Sequence, residues 1–163
     1  MQKAPIPIND EARVCAVEGL HLIDTASEER FDKLTREATK KFSVPISTIT
    51  LVDKDREWFK SAQGLQNREG SRSISFCGHA LMSEVFMIIN DTLSDPRFAD
   101  NPMVVGEPHI RFYAGKSLFE HKSNLPVGVF CIKDYKPREM SLAEVGEFLK
   151  LADRAENEIN KKR

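Results

Sequence analysis

The sequence predicts an α+β fold, a central antiparallel β-sheet of five to six strands with helices at both ends of the chain. Three observations lead there. Apolar residues at helical spacing are concentrated near the two ends, β-branched runs fill the middle, and several of those runs are joined by short polar links. Runs of strands bracketed by helices argue for α+β rather than a parallel βαβ sheet. No repeat or low-complexity linker interrupts the 163 residues, so the chain reads as one domain over 1–163.

The first helix is expected from Asp10 to Leu22, with Ala12, Cys15, Ala16, Gly19, Leu20 and Ile23 on one narrow face. Thr25-Ala-Ser-Glu28 has the capping-box arrangement and predicts a second helix start. Phe31, Leu34, Ala38 and Phe42 form its apolar stripe; Glu28 and Glu29 at one end and Lys40 and Lys41 at the other suit the helix dipole. Pro45 ends it.

From Ile46 the period changes to that of strands. ISTITLVD is β-branched, Lys54-Asp55 offers a turn, and Arg56 to Gln63 returns antiparallel until Gly64. Residues Asn67 to Ser73 read as a polar loop. Cys77 to Met82 can open a short helix capped by Ser75, and Val85 to Asn90 is a short buried strand. Asp95-Pro96 is a turn-of-helix signal. Strands at Arg111 to Phe119 and Val127 to Lys133 flank a hairpin loop, Glu120 to Pro126. Ser141-Leu-Ala-Glu144 is a second capping box, opening a helix to residue 160 with Leu142, Val145, Leu149, Ala152 and Ile159 on one side.

Composition excludes several classes. The chain is 40% hydrophobic and 30% charged with formal net charge -1, so it has no global attraction for nucleic acid or an anionic membrane. No apolar run approaches the roughly 20 residues a spanning helix needs, and the start lacks a secretory signal, so a soluble cytoplasmic protein without membrane insertion is expected. The basic Lys161, Lys162 and Arg163 read as a solvated tail. Cys15, Cys77 and Cys131 are too few and too scattered for a disulfide framework or a paired-cysteine zinc site, and each reads as a small buried thiol.

No Walker A, GxGxxG, HExxH or GxSxG motif is present, and no cofactor is assigned. Cys77 and His79 are the closest sulfur and nitrogen pair, yet residues two apart on a helix point about 200° apart, so they form neither a metal pair nor a nucleophile–base pair there. Strand alternation puts Arg111, Tyr113 and Gly115 on one face and Phe112 and Ala114 on the other. Arg111 and Tyr113 therefore either present a guanidinium and a phenol to one concave space, or sit as an ion pair with Asp91 or Asp95 and a packed core tyrosine. Trp58 and Lys60 share a strand face in the same way, with Trp58 as core filler the alternative.

Several segments resemble the GAF domain family. LIDTASEERFDKLTREATKKFSVPISTITLVDKDREWFKSAQGL, SISFCGHAL, INDTLSDPRFADNPMVVGEPHIRFYAGKSL and VGVFCIKDYKPREMS occur in the order seen in bacterial GAF domains at the N-terminus of sensor histidine kinases and diguanylate cyclases. The resemblance covers a core of about 17–151, with terminal helices at 10–22 and 141–160. It implies terminal helices on one face of the sheet and a ligand pocket under short helices and loops on the other. The pocket candidates are Trp58, Cys77, His79, Asp91, Arg111 and Tyr113. Motifs for cyclic-nucleotide binding, bilin attachment and the cysteine set of free methionine sulfoxide reductases are not matched.

The expectation is thus a non-catalytic sensory module for an unidentified small molecule, relaying its signal through the terminal helices of a homodimer. The alternatives are a ligand-free dimerisation module and a thiol-based reductase.

Overall fold

The computed structural model describes residues 1–162; Arg163, the end of the basic tail, lies outside the described residues. In chain order the elements are α1 (Asp10–Gly19), α2 (Glu29–Phe42), β1 (Ile46–Val52), β2 (Arg56–Gln63), β3 (Glu69–Ser71), α3 (Phe76–Ala80), β4 (Met87–Ile89), α4 (Pro102–Val105), β5 (Phe112–Glu120), β6 (Leu125–Asp134) and α5 (Leu142–Asn160). The strands form one six-stranded sheet in the order β3-β2-β1-β6-β5-β4, every pair antiparallel. This is the α+β fold expected, and the link at Lys54-Asp55 is a tight turn between β1 and β2.

The sheet is covered on both faces, which is why ISTITLV in β1 is buried throughout. Ile49 and Leu51 face α1, α2 and α5, together with Phe112, Ala114, Phe130 and Ile132. Ile46 and Val52 face the irregular segments, with Tyr113, Val129 and Cys131. Phe31, Leu34, Ala38 and Phe42 are all buried in the helix layer, as their spacing predicts.

Four local expectations are corrected. Helix α2 begins at Glu29, and Thr25 is not its cap. Lys60, pushed inward where the register of β1 and β2 shifts, donates to Thr25 Oγ1 at 2.7 Å and Ala26 O at 2.6 Å and pairs with Glu28 at 2.7 Å. That hydrogen bond holds the Glu28 carboxyl down to about 2, and the ammonium takes the carboxylate a capping box needs. Helix α1 stops at Gly19 and buries Arg13, Ala16 and Val17, leaving Ala12, Cys15 and Gly19 exposed. The reason is an ion pair: Arg13 Nε donates to Asp10 at 2.7 Å, and Arg72 grips the same carboxylate at 2.8 Å, so the helix turns its basic side inward. Cys15 is consequently an exposed thiol, whereas Cys77 and Cys131 are buried.

The remaining differences lie at edges and ends. Residues 67–73 contain the short edge strand β3, and Asn101-Pro102 starts α4, its side chain accepting from Met103 N–H at 2.8 Å. The Asp95-Pro96 segment is a turn without a regular helix. In α5 the Ser141/Glu144 capping box is formed as expected. Its buried residues are Phe148, Leu151, Ala152, Ala155 and Ile159, while Leu142 in the first turn is 92% exposed. The far end of α5 docks on the β5–β6 hairpin: Glu156 accepts from Phe119 N–H at 2.8 Å, and Asn160 donates to Phe119 O at 2.9 Å.

Candidate functional site

The sheet face away from the helices is roofed by α3, α4 and the segments between them. Ser75 caps α3, accepting from Gly78 N–H at 2.9 Å and donating to Arg72 O at 2.8 Å. This seats Phe76 between the rings of Phe98, at 4.6 Å, and Tyr113, at 5.1 Å. Cys77 then points to the sheet, where the Tyr113 hydroxyl reaches its Sγ at 3.3 Å and Thr50 Oγ1 lies at 3.7 Å. His79 points elsewhere, its Nε2 3.1 Å from Gln2 O and its ring edge-on to Phe98, so Cys77 and His79 diverge as the helical geometry requires. Burial lowers the His79 pKa.

Beside this packed roof lies a cleft of about 590 Å³, within the range of small-molecule sites. Its walls are Phe59, Leu65, Met103, Pro108 and Ile110, with Gln66, Asn67, Glu69, Gly70 and Glu107 also facing it. Gly64, at φ 80, turns the chain into the 64–67 wall; a Cβ there would meet Pro45 O at 2.1 Å.

Glu57 of β2 and Lys133 of β6 form the polar part of the lining, each 3% exposed. Strand alternation carries both there: Glu57 is one side of Trp58, and Lys133 continues the row of Val129 and Cys131. Glu57 Oε1 is buried with no hydrogen-bond partner among the described residues. Burial, reinforced by Cys77, pushes this carboxyl up to about 8, with Lys133 opposing. Lys133 Nζ lies 5.9 Å over both the Phe76 and Tyr113 rings. Burial works against its charge, but Cys131, Glu57 and Cys77 outweigh burial and hold its pKa above the ordinary value.

On this face of the sheet a chain of hydroxyls and thiols links β6, β1 and α3. Thr48 Oγ1 is 2.9 Å from Cys131 Sγ and 2.7 Å from Thr50 Oγ1, which leads on to Cys77. Burial would raise the Cys131 thiol, yet the Cys77 hydrogen bond, the Lys133 charge and Thr48 bring it down to about 7. Burial raises Cys77, and Cys131 adds to that; burial and Cys77 likewise raise Tyr113. Among the described residues no group of three or more His, Cys, Asp or Glu can hold a metal ion.

Residues 27–159 match the model of the GAF domain family. The chain belongs to the GAF domain family. A curated relative, the cyclic di-GMP phosphodiesterase PA2567 of Pseudomonas aeruginosa, is 36% identical over 155 residues, which is 93% of this chain and 26% of that protein. This chain thus spans about a quarter of the length of that relative. Two solved structures share the fold at low identity. One is a type II free methionine-R-sulfoxide reductase from Thermoplasma acidophilum (TM-score 0.66, 12% identity, 88% of this chain and 94% of that one). The other is a domain of a putative two-component sensor histidine kinase protein from Sinorhizobium meliloti (TM-score 0.64, 19% identity, 83% and 92%).

In this GAF domain the six residues singled out from sequence occupy three places. Cys77, His79 and Tyr113 belong to the layer of α3, and none of the six lines the cleft. Asp91 and Arg111 form an ion pair with each other at 3.1 Å before β5, so Arg111 has a fixed carboxylate. Trp58 faces the helices on the opposite side of the sheet, with the Arg68 guanidinium 5.0 Å from its ring. The buried charged residues that line the cleft, Glu57 and Lys133, are not among the six. A usable signal existed: REWFKSAQ puts Glu57 and Phe59 on the face opposite Trp58, and VGVFCIK ends a buried run on a charge.

Proposed function

We propose that this GAF domain is a non-catalytic sensory and regulatory module of the cytoplasm that binds a small organic molecule in the cleft beside β2 and β6. The observation that carries the reading is a cleft of about 590 Å³ with apolar walls and an unpartnered buried carboxyl oxygen of Glu57. A buried polar group without a partner costs free energy that a ligand can recover, and a cleft of this volume with an apolar wall beside polar groups can hold a small molecule. The similarity to part of a cyclic di-GMP phosphodiesterase supports control of cyclic-dinucleotide turnover as the output, with this domain regulating rather than catalysing. Native mass spectrometry of the purified chain, followed by thermal-shift screening of metabolites, tests it. Ligands that raise Tm are expected, because binding the native state stabilises it; a panel without effect on a protein carrying nothing overturns the reading.

Relay through a homodimer of the terminal helices is part of this proposal. It is supported by the exposed Ala12, Cys15 and Gly19 of α1, which with Ile159 of α5 line a second groove of about 870 Å³. Small residues permit close helix approach, and two chains joined there can form a four-helix arrangement. Light scattering at micromolar concentration checks it; a monomer with concentration-independent stability removes the dimer.

One observation favours a thiol reductase as the second reading: the Cys131 thiol, brought down to about 7, beside Lys133 and Cys77. Against it stands complete burial of both sulfurs, since reactive cysteines are accessible. NADPH-coupled reduction of free methionine sulfoxide, lost in Cys131→Ser, would bring that reading to the front.

A further inference from the structure

The described cleft has an asymmetric chemistry. Lys133 is the only basic residue among the described residues that line it, and it sits at 3% exposure with its Nζ 5.9 Å over the Phe76 and Tyr113 rings and with Cys131, Glu57 and Cys77 as the acidic groups that act on it. A buried ammonium in such surroundings attracts an anion strongly, because solvent does not screen it. Glu57, equally buried, has its carboxyl pushed up to about 8, chiefly by burial, so near neutrality the protonated form predominates. In its protonated form it is an O–H donor, and its Oε1 has no acceptor or donor among the described residues. The two deepest polar groups of the cleft are therefore one cation and one neutral acid.

We infer that the ligand of the cleft is a small monocarboxylate with an apolar body, an alkanoic or arylalkanoic acid, whose carboxylate is held by Lys133 and Glu57. This rests on the ligand-sensing reading above and specifies its chemistry. The two oxygens of a carboxylate match the two groups: one takes the Lys133 ammonium, the other accepts from the Glu57 acid. An amine meets the ammonium as a like charge. An amide or alcohol of the same shape brings no anion to Lys133. A dianion such as phosphate finds a single cation, with Glu69 and Glu107 nearby. The apolar body packs on Phe59, Leu65, Met103 and Ile110, which offer no charge.

Gly70 gives a way to close the site without replacing either polar group. A Cβ at this edge-strand position would lie 3.4 Å from Glu57 Oε2 in ordinary contact, so a longer side chain covers the carboxyl while the strand keeps its geometry. Thermal-shift and calorimetric titrations use the whole chain at pH 7 with the sodium salts of hexanoate, benzoate and phenylacetate. Hexanamide, hexylamine, succinate and inorganic phosphate serve as comparison compounds. At tenfold excess over Kd a monocarboxylate is expected to raise Tm by about 3–6 °C. Lys133→Met is expected to weaken binding by about tenfold or more, the loss of a charged hydrogen bond, and Gly70→Leu to abolish it. Circular dichroism establishes that each variant is folded; if Lys133→Met is not, Gly70→Leu decides whether the monocarboxylate occupies the cleft. Binding of hexanamide or hexylamine in preference to hexanoate, removed by Gly70→Leu, overturns the carboxylate and leaves the sensory reading standing. Hexanoate binding unchanged in both Lys133→Met and Gly70→Leu overturns the site. No response to any compound, with nothing carried on the purified protein, overturns both this inference and the sensory reading.

Discussion

Replacing Glu57 by Gln tests the electrostatics of the cleft floor through folding stability. The carboxyl is buried at 3% exposure, and its pKa rises from the ordinary 4.5 to about 8, chiefly because burial penalises the charged form. The groups that share its surroundings are Cys77, which pushes in the same direction, and Lys133, which opposes. A carboxyl raised in the folded state holds its proton more tightly than in the unfolded chain. Its contribution is fully present below pH 4.5, declines as pH rises, and is lost once pH passes about 8. At about 1.4 kcal/mol per pH unit the effect between these limits is on the order of 3–5 kcal/mol. Gln has nearly the same shape and cannot ionise. The variant is expected to match the parent at pH 5 and to exceed it by about 3–5 kcal/mol at pH 9. Urea unfolding of both proteins at pH 5, 7 and 9, with slopes checked for constancy, measures the difference. Parallel stability curves for the two proteins across that range would show that Glu57 is ionised in the folded state, and the reasoning about a neutral acid in the cleft would fail.

Four further outcomes are expected. Ser141→Ala removes the side chain that accepts from Glu144 N–H at 3.1 Å and should cost about 1 kcal/mol in chemical unfolding, a loss that Ser141→Asp largely avoids. Gly64→Ala forces a Cβ to within 2.1 Å of Pro45 O at φ 80, so stability should fall by about 1–3 kcal/mol; an unchanged Tm would contradict the backbone described. Phe148→Ala opens the centre of the helix layer, where Phe148 lies 5.5 Å from Phe130 and 6.2 Å from Phe42, and should cost about 3–5 kcal/mol by urea unfolding. A maleimide should modify Cys15 within minutes in the native protein and reach Cys77 and Cys131 only on unfolding, because Cys15 alone of the three is exposed; mass spectrometry counts the adducts.

Much of the fold was legible because its causes are local. The stripe of Phe31, Leu34, Ala38 and Phe42 repeats at the helical period, Ser141 and Glu144 carry a complete cap within four residues, and alternation alone separates Tyr113 from Phe112 and Ala114. Local chemistry also explains the tight turn at Lys54-Asp55 and the cap of α3 at Ser75. Where an element's local preference met a distant partner, the partner won. Thr25 and Glu28 have the spacing of a capping box, but Lys60 holds both. Ala12, Cys15, Ala16 and Gly19 share one face by helical spacing, but Asp10 lies between Arg13 and Arg72 and rotates α1 so that of these four only Ala16 is buried.

The sequence by itself determined the order and kind of the main elements, which follow from period and turn chemistry read along the chain, and its motif order carried the family resemblance that implied the two-faced sheet. Tertiary structure alone decided the cleft. Glu57 stands on β2 and Lys133 on β6, separated in the sheet by β1, and they line one space only because both strands pair with β1 in the observed registers. Both are buried there, with the Phe76 ring of α3 5.9 Å from Lys133 Nζ and Met103 of α4 lining the same cleft. An orphaned carboxyl and a buried ammonium are properties of that enclosure, and no spacing within the sequence records it.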